Sequence, residues 1–126
     1  MRMLSRLWLA CLILVLLAGC ATGRSVGYRS EVYPLLKQKC FRCHTPPDGE
    51  GYLKTGLNMQ SYESLMAGTY YGAVIVPGDS KRSILNKLVE GRAGKAMLMP
   101  HDNDSTLTDD EIEALRLWVE QGAEYN

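Results

Sequence analysis

The chain has 126 residues, a length that suits one small domain. Its 14 basic and 14 acidic residues balance, and no basic stripe marks a nucleic-acid partner. Internal repeats and long low-complexity tracts are absent from the sequence.

The first stretch reads as a leader. Arg2 and Arg6 precede an apolar run over residues 7–17, followed by Ala18-Gly19-Cys20. A basic start, a short apolar core and small residues before a cut are secretory signal features. The run is short for a transmembrane helix, which needs about 20 apolar residues. Leu17-Ala18-Gly19-Cys20 also resembles the lipobox of bacterial lipoproteins. That resemblance implies a signal peptide over residues 1–19 and a lipidated Cys20 as the new N-terminus. An uncleaved anchor and a soluble product cut after Ala21 are the rival outcomes. All three export the domain. The lipoprotein reading places it on a membrane, facing the periplasm or the cell exterior. Ala21 stands where an aspartate often retains such proteins at the inner membrane, which favours the outer membrane by resemblance. Residues 20–27 are small and polar and read as a flexible tether.

A first helix is expected over residues 31–39, with Ser30 as N-cap and Pro34 in the first turn, where proline is tolerated. Val32, Leu35 and Leu36 follow the helical apolar rhythm. This helix delivers Cys40-Phe41-Arg42-Cys43-His44 at its end. Two cysteines three apart, followed by a histidine, form the signature of covalent haem attachment. Each thiol can add to one vinyl group of a haem, and the two-residue spacer matches the separation of the vinyls. His44 then reaches the iron from the same side. A thioredoxin-like thiol pair needs strand-helix-strand context, which is missing. A structural zinc site needs four ligands. The mature chain offers Cys40, Cys43, His44 and His101, two of them adjacent.

Residues 45–56 hold Pro46-Pro47-Asp48-Gly49 and Gly51, and read as a loop. A backbone carbonyl there could accept the second ring N–H of His44. A short helix follows over residues 61–67, capped by Ser61 and stopped by Gly68, with Leu65 and Met66 inward. Residues 70–76 read as an extended segment lining the core. Ser80 is expected to cap a helix over residues 81–90 whose inner face is Ile84, Leu85 and Leu88. Residues 92–106 are irregular and enclose Met97-Leu98-Met99-Pro100-His101. The last helix is the clearest. Thr108-Asp109-Asp110-Glu111 is a capping box, with Leu107 and Ile112 as a hydrophobic staple. Ile112, Leu115, Trp118 and Val119 form its apolar face, and Gln121-Gly122 ends it.

The expected architecture is therefore all-α: about four helices with long loops around one covalent haem c. The cysteine count agrees. Cys11 leaves with the leader, Cys20 carries lipid, and Cys40 and Cys43 carry haem, so no disulfide is required. Opposite His44 the iron can take Met59, Met66, Met97, Met99 or His101. Met59 and Met66 read as core filler. Pro100 stiffens the backbone after Met99 and pre-organises it better than Met97. Met99 is therefore preferred, with His101, Met97 and an open site as alternatives.

In this order and spacing, the chain resembles class I c-type cytochromes, and more closely the planctomycete-type cytochrome c domain. The matching blocks are Val32-Tyr33-Pro34-Leu35-Leu36, Cys40-x-x-Cys43-His44, Gly56-Leu57 with Ser61-Tyr62-Glu63-Ser64-Leu65, Val76-Pro77-Gly78-Asp79 with Ser83-Ile84-Leu85, Met99-Pro100, and Leu107-Thr108 with residues 115–123. The likeness covers residues 28–124. It implies a fold in which the first and last helices cross, with His44 and Met99 as axial ligands. It also implies electron transfer or haem sensing rather than bond chemistry. Thr45-Pro46-Pro47 departs from the glycine that often follows the haem histidine in the family. The expected function is a monohaem electron carrier tethered to a membrane through Cys20, exchanging single electrons with redox proteins. It is not expected to be an enzyme, and any peroxidase-like activity would be weak. An open-site haem protein with a sensory or peroxidase-like role, and a zinc-stabilised interaction module, are the rival functions.

Overall fold

A computed structural model describes residues 23–102 and 105–126. Cys11, Cys20 and the leader lie outside the described residues. Five α-helices follow one another: α1 Tyr33–Lys39, α2 Glu50–Thr55, α3 Tyr62–Ala67, α4 Ile84–Val89 and α5 Asp109–Glu120. A single π-type turn, Tyr28–Val32, runs directly into α1, and a 3₁₀ turn, Lys95–Met97, lies in the long connection before α5. The described residues contain no strand, only an isolated bridge between Thr69 and Gly72. None of their helices is long and apolar enough to cross a membrane.

The first helix starts earlier than the sequence suggests. The Gly27 carbonyl accepts the N–H groups of both Glu31 and Val32, so Ser30 sits inside the turn rather than capping it. The extra turn buries Tyr28 and Val32. Its free N–H groups are taken by the C-terminal residue: Tyr28 N donates to Asn126 Oδ1 at 2.7 Å and Arg29 N to Asn126 O at 2.9 Å. The region expected as tether is also partly structured. Val26 is fully buried, its N–H bonds Gln121 Oε1, and Gln121 Nε2 donates to the Arg24 carbonyl. The end of α5 thus holds residues 24–26 against the domain.

α5 packs across the opening turn of the first helix and against α4. Its buried face is Ala114, Leu115, Trp118 and Val119, set against Tyr28, Val32 and Leu36. The capping box is formed: Glu111 N donates to Thr108 Oγ1, and Thr108 N to Glu111 Oε2. α3 is capped the same way, with Ser61 and Ser64 exchanging bonds, and Leu65 is its buried residue.

Two elements differ from expectation. α2 was not anticipated, because its glycines read as chain breakers. α4 begins at Ile84, and its N-cap is Ser83 rather than Ser80. Ser83 Oγ bonds the backbone of Val76 and Asp79, while Ser80 Oγ donates to Glu120 Oε1 at 2.8 Å. The shorter helix turns Leu85, Asn86 and Val89 inward, leaving Leu88 half-buried and Ile84 exposed.

Candidate haem-attachment site

At the end of α1 the chain wraps tightly. Cys40 N and Phe41 N both bond the Leu36 carbonyl, and the Cys40 carbonyl accepts from Cys43 N at 3.1 Å and His44 N at 2.9 Å. This turn gathers Cys40, Cys43 and His44. Both thiols are free and half-buried. Burial pushes the Cys40 thiol up to about 12, with the neighbouring Cys43 adding to the rise. A thiol so raised is the opposite of the low-pKa nucleophile that a redox pair requires.

α2 supports the histidine. Tyr52 N donates to the Cys43 carbonyl at 2.9 Å, and Gly49 N to the Thr45 carbonyl at 3.0 Å. Gly49 has no room for a side chain: a Cβ would lie 2.5 Å from Thr45 O and 2.6 Å from Cys43 O. Gly51 lies against the His44 ring itself, where a Cβ would stand 2.5 Å from Cε1 and 2.8 Å from Nδ1. On the other side, Met59 N donates to the His44 carbonyl at 2.9 Å.

Burial holds the His44 imidazole below its ordinary pKa, the Leu57 backbone opposes this, and the charge of His101 adds to the lowering. The neutral ring is the form that ligates metal. His44 Nδ1 is buried and makes no bond of good geometry, although the Leu57 backbone lies beside the ring. Leu57 is one residue beyond the loop in which the acceptor was expected.

The distal segment comes to this site through polar straps. Arg42, inside the cysteine motif, pairs with Asp102 at 3.4 Å. Lys39 Nζ donates to the Thr106 carbonyl at 3.1 Å and lies 3.9 Å from Glu111. A cavity of about 330 Å³ opens between this segment and α5, lined by Val89, Leu98, Met99, His101, Leu107 and Ile112 among others. The candidate ligands separate here. Met99 is half-buried and packs on the core with Cys40 and Phe41, whereas Met97 is 51% exposed. His101 is exposed, and Met59 is core filler at 3% exposure.

These residues fit a covalently held haem: two free thiols at the right spacing, an imidazole with an unbonded, buried Nδ1, and a thioether beside a cavity of mixed apolar and polar lining. Asn86 is also fully buried with both amide atoms unbonded, three residues before the cavity-lining Val89 on α4. Among the described residues, no group of three or more His, Cys, Asp or Glu side chains could hold a metal ion, so the zinc reading has no ligand set.

A family model, Planctomycete cytochrome C, matches residues 40–103, half of the chain. The chain belongs to this family. The match opens on Cys40 and spans the attachment motif, α2, α3, α4 and Met99. A planctomycete-type cytochrome is a haem c protein, and the all-helical fold agrees with that. Comparison with curated proteins and with solved structures gave no match. Sequence reasoning missed Gly51, Gly49 and Asn86. The repeated glycines after a haem motif were the available signal for the first two.

Proposed function

We propose that this cytochrome is a monohaem, single-electron carrier held at a membrane surface. Cys40 and Cys43 form the two thioethers, His44 is the proximal ligand and Met99 the distal one. When bound, the haem supplies a one-electron couple. The chain's own residues do the rest. Gly51 and the Met59 N–H fix His44 front and back. The Arg42–Asp102 and Lys39–Thr106 contacts hold the distal segment over the motif, and a thioether ligand favours the reduced iron. With His44 and Met99 holding the group, the chain would leave it no position open to substrate, and the couple would serve electron exchange with redox partner proteins. Lipid on Cys20 supplies the anchor, on the periplasmic or outer face of the cell.

The observation that carries the proposal is that Met99 is half-buried and packs on the same core cluster as Cys40, whereas Met97 is exposed. Optical spectra of both redox states, with a pyridine haemochrome assay, test it on protein made with haem-maturation machinery. The expected result is one haem with two thioethers and a low-spin, six-coordinate spectrum. Absence of covalent haem would sink the proposal. Carbon monoxide binding by the native ferrous protein would select an open, sensory site instead.

A further inference from the structure

The end of α5 fixes where the lipid-bearing end of the chain joins the domain. Gln121 uses both atoms of its amide on the segment before the first turn: Oε1 accepts from Val26 N at 3.0 Å, and Nε2 donates to the Arg24 carbonyl at 2.7 Å. Val26 is fully buried, and the Arg24 side chain pairs with Glu31. The chain is therefore part of the domain from Arg24 onward. Arg24 lies four residues after Cys20. At no more than about 3.5 Å per residue, the span between them is at most about 14 Å, whatever path it takes. Were the chain free as far as Tyr28, its span from Cys20 would reach about 28 Å. The Gln121 contacts halve that reach.

This pole of the domain is firmly built. Tyr28 packs on the rings of Tyr33, Tyr62 and Tyr125, with centroids 6.0, 5.2 and 5.6 Å away. The Tyr62 hydroxyl donates to the Ala123 carbonyl at 2.9 Å, and Trp118 Nε1 to the Glu124 carbonyl at 3.0 Å. Tyr125 stays half-exposed, with the Arg29 guanidinium 4.3 Å from its ring centroid. A tyrosine beside an arginine suits the headgroup layer of a bilayer, where amphipathic side chains keep their polar ends in contact with water and headgroups. Arg24 and Arg29 are matched at this pole by Glu31, Glu63 and Glu124, so no excess of positive charge draws it to anionic lipid. Cys40 stands beyond the other end of the first helix. From Tyr28 to Lys39 the chain rises about 18 Å, at about 1.5 Å per residue.

We propose that the Gln121 clamp sets the stance of the domain on a lipid bilayer: the pole of residues 24–29 and Tyr125 rests at the headgroups, and the Cys40-x-x-Cys43-His44 motif is held about 18 Å farther out, open to redox partners from the aqueous phase. This rests on the lipidated Cys20 of the proposed function. The occupant of the pole is a bilayer because the chain leading out of the domain there ends in a lipid within about 14 Å. Tether length holds the contact rather than charge, so added salt leaves it in place.

The lipidated holoprotein, in nanodiscs that carry a gadolinium-chelating lipid, tests the idea by amide NMR of the ferrous form. Mass spectrometry of the same sample reports the lipid on Cys20. Paramagnetic relaxation falls steeply with distance from the headgroups. It is expected to be several-fold stronger at Ser25, Arg29 and Tyr125 than at Arg42, and to persist in high salt. Gln121→Ala should release the segment and weaken the enhancement at Arg29 and Tyr125 several-fold. Inserting four glycine and serine residues after Ala21 should weaken it likewise without touching the fold. Equal enhancement at Arg29 and Arg42, or an insertion variant that matches the wild type, would overturn the stance and leave the lipid anchor standing. A folded Gln121→Ala that matches the wild type would overturn the clamp. An unlipidated Cys20 would overturn the anchor and this inference together.

Discussion

Gly51 is pressed against the face of His44: a Cβ added to this glycine would stand 2.5 Å from Cε1 of the imidazole. Gly51 lies in the first turn of α2, which follows Pro46, Pro47 and Gly49. Gly49 lets the backbone close on Cys43 and Thr45, and Gly51 lets the helix meet the ring. The loop departs from the family's usual glycine after the histidine, and α2 supplies the support by another route.

Gly51→Ala should therefore tilt or displace His44. Overpacking at a tight site costs about 1–3 kcal/mol. Urea unfolding should show a loss of that size, and the holoprotein's reduction potential should move with the changed ligand orientation. An unaltered potential and an unaltered urea midpoint would show that the ring does not rest on this glycine.

Met99 and Met97 differ in burial, and their substitutions should differ in kind. Met99→Ala should abolish the six-coordinate spectrum of the ferrous protein and open the iron to carbon monoxide. Met97→Ala, at a 51% exposed position, should leave both unchanged. The reverse pattern would transfer the distal role to Met97.

Thr108 caps α5, the helix that brings Ala114, Leu115, Trp118 and Val119 to the core. Its hydroxyl accepts the Glu111 N–H, and Glu111 returns a bond to the Thr108 N–H. Thr108→Ala should cost about 1 kcal/mol in chemical denaturation, whereas Thr108→Ser should cost little. Equal losses would mean that the threonine methyl, rather than its oxygen, is what matters.

Acid should weaken the junction between the turn that precedes α4 and the end of α5. The Ser80 hydroxyl, and then Arg116, hold the Glu120 carboxyl below its ordinary value of 4.5. A folded-state value below the unfolded one means that this contribution is present above about pH 4.5 and lost as pH falls through the depressed value. Glu120 is partly solvated, so the contribution stays at or below about 1 kcal/mol. Glu120→Gln should lower stability at pH 7 and flatten its fall between pH 5 and pH 3, measured by urea midpoints across that range. A variant with the wild-type pH slope would remove Glu120 from the acid response.

Much of the site was legible because its logic is local. Cys40, Cys43 and His44 are placed by a two-residue spacer and one helical turn, so composition and order suffice. The capping box at Thr108 and the apolar face of α5 are also short-range patterns. α4 was misjudged at its start: Ser80 has the chemistry of a cap, but its hydroxyl is drawn to Glu120 on another element. Part of the expected tether is held to the domain for a similar reason. Val26 looks like linker in sequence, and only Gln121, 95 residues later, makes it part of the core.

The sequence alone therefore determined the helical class and the caps at Ser61 and Thr108, because each depends on residues within a turn or two of one another. The tertiary structure decided which of Met97 and Met99 is sheltered, why Gly51 stands against His44, and where four tyrosines converge. Those outcomes depend on close approach between distant segments, which steric fit and burial select and linear spacing does not record.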